Sequence, residues 1–250
     1  ALQTAWQSAA SMFNETWSYR SWQERGNKAK HFANHKGGFL MEKNLTTGSV
    51  LKNILFFSLP YLFSYFLQTL YGMADLFIIG QFEGVAATTA VSIGSQVMHM
   101  LTVMIVGLAM GTTVSIAQAI GANKKDDAAA ATGNTVTLFL ILSVCLTGAL
   151  LCVIRPITMI MSVPEEAVSG TIAYLTICFI GIPFITAYNI ISSIFRGMGD
   201  SKSPMYFIAI ACAANIGLDY LFMGVFYIGP AGAALGTTLS QAISVFVIVA

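Results

Sequence analysis

The chain has 250 residues and a net charge of +1, and 56% of its residues are hydrophobic while 9% are charged. Soluble domains carry about a quarter charged residues, so this composition excludes an ordinary soluble domain. The near-neutral charge gives no indication of a nucleic-acid partner. Several apolar runs exceed the roughly 20 residues that a helix needs to cross the hydrocarbon core. The sequence therefore predicts an all-α polytopic protein surrounded by membrane lipid.

Residues 1–40 differ in composition from the rest of the chain. They are polar, contain scattered aromatic residues and lack the basic start and continuous apolar core of a signal peptide. We interpret them as a non-native or upstream leader that is poorly ordered, with Met41 as the natural start. His31 and His35 are four residues apart, but no Cys or carboxylate clusters with them, so we predict no metal site.

Residues 41–250 contain six apolar segments separated by short polar or glycine-rich breaks. The last segment reaches the end of the printed sequence without a polar tail, which suggests a fragment of a longer protein that ends in its sixth span. The predicted spans are about 51–80, 87–119, 128–154, 167–195, 203–227 and 231–250.

The basic residues of residues 41–250 are distributed unequally between the two sides of the membrane. With six spans, six Lys or Arg residues lie at or near the span ends on one side, and only Arg155 lies on the other. Cytoplasmic segments are enriched in Lys and Arg, so the amino terminus is predicted to be cytoplasmic. The six are Lys43, Lys52, Lys124, Lys125, Arg196 and Lys202.

Two carboxylates, Asp75 and Asp219, lie well inside the predicted spans, and no Lys or Arg accompanies them there. An ionisable residue at this depth costs about 2.5–3.5 kcal/mol on insertion scales and marks a functional site by default. Without a basic partner, each carboxylate is expected to hold a proton or to recruit a cation. Changing between those states can couple ion movement to a change of shape.

The two aspartates and one threonine are predicted to lie at similar depths. A rise of about 1.5 Å per residue places Asp219 about 15 Å, Asp75 about 12 Å and Thr237 about 10 Å below the outer ends of their spans. Asn215 is one helical turn deeper than Asp219 and shares its face. The alternative interpretation is that these residues join helices by hydrogen bonds alone.

Other residues of the spans allow more than one interpretation. Gln68 and Tyr71 share the face of Asp75 and could line a cavity or form hydrogen bonds between helices. Pro60 and Pro183 are candidates for hinges or for static kinks, because proline removes a backbone hydrogen bond. The Gly-x3-Gly pair formed by Gly232 and Gly236 indicates close helix packing. The four cysteines are interpreted as small buried hydrophobic residues: Cys145, Cys152, Cys178 and Cys212.

Three groups of residues resemble the multidrug and toxic compound extrusion (MATE) family, and in particular its DinF-like prokaryotic branch. The loop 196–204 reads Arg-Gly-x-Gly-Asp-x3-Pro, and residues 215–219 read Asn-x3-Asp. The first span also has the proline, glutamine, tyrosine and aspartate of that branch in the same order. The resemblance covers residues 41–250 and depends on the combination of these motifs.

The resemblance implies an antiporter with two lobes of six helices, of which this chain is the amino-terminal lobe and lacks the carboxy-terminal one. Members export small cationic, amphipathic compounds in exchange for H⁺ or Na⁺, need no other cofactor, and lie in the bacterial or archaeal inner (plasma) membrane. It implies a hinge at Pro60 and a substrate cavity near Gln68 and Tyr71. The implied cation-binding residues are Asp75, Asn189, Asn215, Asp219 and Thr237.

Two further functions are weighed against this one. A lipid-linked oligosaccharide flippase of the same superfamily would need Arg or Lys in its cavity to bind phosphates, and these spans show none. A non-transporting membrane receptor or assembly subunit would tolerate replacement of both aspartates. Enzymatic activity is not predicted, because the sequence shows no nucleophile–base or metal cluster.

Overall fold

The computed structural model describes residues 49–249, and every regular element in that range is helical. The predicted leader and Met41 lie outside these residues. A π-helical turn covers Tyr220–Val225. The α-helices are α1 (Val50–Phe82), α2 (Val85–Gly121), α3 (Lys125–Cys152), α4 (Ile154–Ile160), α5 (Glu165–Ile180), α6 (Ile182–Gly197), α7 (Lys202–Asp219) and α8 (Pro230–Val249).

The helices provide six segments that can cross a membrane. Five of them, α1, α2, α3, α7 with its π-helical turn, and α8, are long and apolar enough to do so individually. Helices α5 and α6, which are bent by 50° relative to each other, together provide one further segment that is long and apolar enough. Each predicted span coincides with one of these segments to within three residues at each end. The structure therefore confirms the all-α fold class with six spans.

Helix α8 lies at the centre of the packing. It contacts α5, α6, α7 and α2, while α1 lies at the edge and packs mainly against α7 and α2. Ile78, Tyr174, Phe179 and Met223 are among the side chains buried where these helices meet. Many apolar side chains on the outer faces are exposed, as expected for a surface that contacts lipid.

The segment formed by α5 and α6, the fourth in chain order, bends at Gly181. Pro183 is the second residue of α6 and has no N–H group for the carbonyl of Phe179, so the helical hydrogen bonds are interrupted there. Thr238 of α8 packs into the bend: a Cβ added to Gly181 would lie 2.5 Å from the Thr238 methyl carbon. Pro183 therefore lies at a kink, one of the two roles proposed for it from the sequence.

Replacing Gly181 by alanine is expected to destabilise the lobe by about 1–3 kcal/mol, because the new methyl group overlaps Thr238. The measurement is the thermal unfolding midpoint in detergent. Gly148→Ala in α3 is the matched control, since no atom lies within 4 Å of its added Cβ. Adding Thr238→Ala should restore part of the loss. Equal midpoints for the two glycine variants would contradict this packing.

Candidate functional site

The two membrane aspartates lie beside each other in the interior of the helix bundle. Asp75 of α1 is 3% exposed and Asp219, the last residue of α7, is 0% exposed. Their carboxyl groups are neighbours and interact electrostatically with each other. Two adjacent buried carboxyl groups do not readily both carry a negative charge. The geometry therefore places one ionisable pair, rather than two separate groups, inside the membrane.

Thr237 and Asn215 complete the surroundings of this pair. The Thr237 hydroxyl donates to Asp75 Oδ2 at 3.2 Å, which joins α8 to α1. Asn215 is fully buried one turn before Asp219 and lies within reach of both carboxyl groups. The hydroxyl of Tyr71 lies beside Thr237 and the two aspartates. Polar residues of three helices, α1, α7 and α8, thus meet at one place.

Several polar atoms of this cluster are buried without a hydrogen bond of standard geometry to residues 49–249. They are Asp75 Oδ1, both carboxylate oxygens of Asp219, both amide atoms of Asn215 and the hydroxyl of Tyr71. A buried polar atom in that condition costs about 1–3 kcal/mol, and more when it is charged. A proton shared by the carboxyl groups, or a small cation coordinated by these oxygens, would offset that cost. The cluster is chemically suited to bind either.

Gly236 lets the backbone of α8 approach this pair. A Cβ added to Gly236 would overlap Asp219 Oδ1 and would lie 3.5 Å from Asn215 Nδ2. The sequence identified Gly236 only as half of a packing pair with Gly232. The contact of Gly236 with the Asp219 carboxylate depends on how α8 is rotated relative to α7. Sequence spacing alone does not predict that rotation.

Two residues of α5 also border the cluster and were not predicted. Tyr174 and Cys178 are buried, interact with each other and lie in the electrostatic surroundings of Asp75. The ring of Tyr174 packs directly on the backbone of Gly94 of α2, where a side chain would overlap it. The i, i+4 spacing of Tyr174 and Cys178 was the available signal, but their apolar context made them resemble ordinary core residues. Cys178 and Cys212 are buried as predicted, whereas Cys145 and Cys152 are exposed, so the prediction of burial is wrong for those two.

Three predicted site residues lie outside this cluster. Asn189 of α6 donates its amide to the Ile185 carbonyl at 2.8 Å and lies about 12 Å along the helix beyond Gly181. Gln68 is half-buried two turns before Asp75 and is not among the side chains that reach the carboxyl pair in the described part of the chain. Pro60 lies within the continuous helix α1, where its carbonyl accepts from Ser64 Oγ at 2.9 Å.

A helical membrane bundle with a buried carboxyl pair defines a polytopic membrane protein with an ionisable site inside the membrane, as in pumps and transporters. The sequence profile of the MatE family matches residues 60–221, and the chain belongs to this family. The resemblance drawn from the three motifs is thereby confirmed.

The similar proteins are named as multidrug transporters. The chain is 34% identical over 201 residues to the probable multidrug resistance protein YpnP of Bacillus subtilis, covering 80% of this chain and 45% of that protein. It is 29% identical to the probable multidrug resistance protein NorM of Thermotoga maritima, with coverages of 77% and 42%. The chain thus spans less than half the length of these relatives.

Solved structures agree with the sequence comparison. A MOP superfamily transporter from Pyrococcus furiosus superposes with a TM-score of 0.78 at 30% identity, covering 85% of this chain and 47% of that one. Structures described as MATE in the bent and in the straight conformation superpose with TM-scores of 0.78 and 0.76, at 29% and 30% identity. The match to these two structures covers 84–85% of this chain and 47% of each of their chains. The described helices therefore correspond to one lobe of such a transporter.

Proposed function

We propose that this chain is the amino-terminal lobe of an antiporter that exports cationic, amphipathic compounds in exchange for H⁺ or Na⁺. The observation that carries the proposal is the interacting pair Asp75 and Asp219, buried on neighbouring helices without a Lys or Arg partner among residues 49–249. Such a pair changes its charge when it binds a proton or a cation. The energy of that change is available to favour one conformation over another.

The proposed cycle uses helix α1 to convert ion binding into movement. Ion binding from outside neutralises the pair, α1 bends near Pro60, and the substrate cavity near Gln68 and Tyr71 releases its cation. Support comes from the position of Pro60 on the helix that carries Asp75, and from the existence of bent and straight forms among the similar structures. Asn189 would contact the ion only in another arrangement of α6.

The proposal extends to the parts of the transporter beyond this lobe. A carboxy-terminal lobe of six helices would complete the cavity, in keeping with the share of the similar structures that this chain covers. The protein would lie in a prokaryotic plasma membrane with a cytoplasmic amino terminus. Organic cations are proposed as substrates because the relatives are named for multidrug resistance.

The test is transport by the intact protein encoded by the gene that contains this lobe. In everted membrane vesicles from a host without major efflux pumps, an organic-cation dye should be taken up when a H⁺ or Na⁺ gradient directed out of the vesicle is imposed. An ionophore that collapses the effective gradient should stop the movement. Dye transport that ignores both gradients would overturn ion coupling, and absence of dye transport from correctly inserted protein would overturn multidrug export.

Thr237→Val is expected to weaken the response to the coupling ion without abolishing it. The substitution keeps the side-chain shape and removes the hydroxyl that donates to Asp75. A hydrogen bond to a charged group contributes about 1.5–3 kcal/mol, so the half-maximal ion concentration should shift by about tenfold or more. Thr237→Ser retains the hydroxyl and should behave nearly as the parent. Equal shifts for both variants would exclude the hydrogen bond as the cause.

A further inference from the structure

Two cations contact aromatic rings at the base of α1, which we define as Val50–Tyr61. The guanidinium carbon of Arg196 lies 5.4 Å from the centroid of the Tyr61 ring. The ammonium nitrogen of Lys202 lies 4.9 Å from the centroid of the Phe56 ring. Both distances are within the roughly 6 Å range of cation–π attraction. The two rings lie on either side of Pro60 in the sequence.

Arg196 is half-buried at the end of α6. Its Nη2 donates to Ser193 Oγ at 2.8 Å, while its Nε is buried without a hydrogen bond to the described residues. Its electrostatic neighbours are the rings of Tyr61 and Tyr188 rather than a carboxylate. Desolvating a cation is costly unless a partner compensates. The face of Tyr61 is therefore a principal partner of this charge.

The rest of the base makes few buried contacts with the lobe. Asn53 is the buried residue between Val50 and Pro60, and the apolar side chains around it face outward. Leu51 and Leu59, for example, are each 68% exposed. The two ring contacts thus join the base of α1 to α6 and to the start of α7.

We propose that Arg196, assisted by Lys202, is a positioning residue that holds the base of α1 still while the segment beyond Tyr61 moves. This inference depends on the ion-coupled transport proposed above. Asp75 lies 15 residues beyond Pro60, about 22 Å along the helix, so a bend of about 10° would displace it by about 4 Å. With a loose base, the same ion-binding event would rotate all of α1 and transmit less movement to the cavity.

Distances between spin labels in the intact protein test the proposal without relying on transport. Labels on p-acetylphenylalanine leave the native cysteines unchanged. One pair at Leu55 and Gln118 reports the base, and a second at Met73 and Leu138 reports the segment that carries Asp75; all four positions are exposed. Adding the coupling ion should shift the second distance and leave the first unchanged. A shift of equal size in the first pair would overturn the proposal.

Substitutions at the contact provide the matched controls. Tyr61→Leu and Arg196→Gln should each broaden the Leu55–Gln118 distribution and raise the detached population about two- to thirtyfold, the range expected for one cation–π contact. Tyr61→Phe keeps the ring and should retain the narrow distribution of the parent. If the Leu55–Gln118 distance distribution is as narrow in Tyr61→Leu and Arg196→Gln, the two loss variants, as it is in the parent, the contact does not fix the base.

The two proposals fail in distinguishable ways. If Asp219→Asn leaves dye transport ion-dependent while the loss variants still broaden the base, ion coupling at the pair is wrong and the anchoring contact stands. If Asp219→Asn abolishes coupling while Tyr61→Leu changes neither the base distance nor the ion dependence, the anchoring contact is wrong and the function stands.

Discussion

Asp219→Asn is expected to lower the ion stimulation of dye efflux by the intact protein about 5- to 150-fold, the usual range of coupling between two sites. Asparagine has nearly the shape of aspartate and can still hydrogen-bond to Asp75. It cannot release a proton or carry the charge that balances a cation. Asp219 is fully buried beside Asp75, so a change of charge at Asp219 acts on that residue and not on solvent. The measurement is the initial rate of dye uptake into everted vesicles with and without the imposed ion gradient.

Asp127→Asn is the matched control for this substitution. Asp127 is exposed in the first turn of α3, where it forms a salt bridge with Lys124 at 3.7 Å, and surface pairs of this kind contribute little. Asp75→Asn should reproduce the loss, and the double variant should be no worse than either single one, because residues acting as a unit are not additive. Full ion dependence in Asp219→Asn protein would remove the carboxyl pair from the mechanism.

Gly236→Ala is expected to cause a comparable loss although it changes no charge. The added methyl group would overlap Asp219 Oδ1 and crowd the Asn215 amide, so α8 must move away or the carboxylate must turn. Overpacking of this kind costs about 1–3 kcal/mol, and here the adjustment occurs at the ion site. Thr237, which donates to Asp75, lies on the same helix and would move with it. The half-maximal ion concentration for transport should therefore rise about tenfold or more.

Gly217→Ala provides the control for the glycine substitution. Gly217 is two residues before Asp219, and no atom lies within 4 Å of its added Cβ. Alanine is favoured over glycine in a helix, so this variant should transport normally and fold at least as well. Equal ion dependence for Gly236→Ala and the parent would show that the close approach of α8 to Asp219 is not required.

The spans and the depth of the aspartates could be predicted because both depend on local quantities. Twenty apolar residues cross the hydrocarbon core whatever their neighbours are, and a constant rise per residue converts sequence position to depth. That calculation placed Asp75, Asp219 and Thr237 at one level, and the structure has Thr237 bonded to Asp75. The kink near Pro183 could also be predicted from local sequence, since a proline interrupts the hydrogen bonds of its own helix.

Other features depend on how the helices rotate against each other. Tyr174 and Cys178 resemble core residues in sequence and border the carboxyl pair only because α5 turns that face toward α1. The short helix α4 lies between two predicted spans, and neither it nor the π-helical turn after Asp219 was predicted from the sequence. Such widened turns often occur at functional sites, where they reorient a side chain.

The membrane location, the six spans and the two costly carboxylates could all be assigned from the residues alone, since each follows from hydrophobicity and from the rise of a helix. The tertiary structure decided that Asp75 and Asp219 form one pair, that Gly236 makes room for it, and that Arg196 and Lys202 contact the base of α1. These contacts join residues more than 15 positions apart in the chain. They exist only where packing sets the rotation and register of neighbouring helices, which no local pattern encodes.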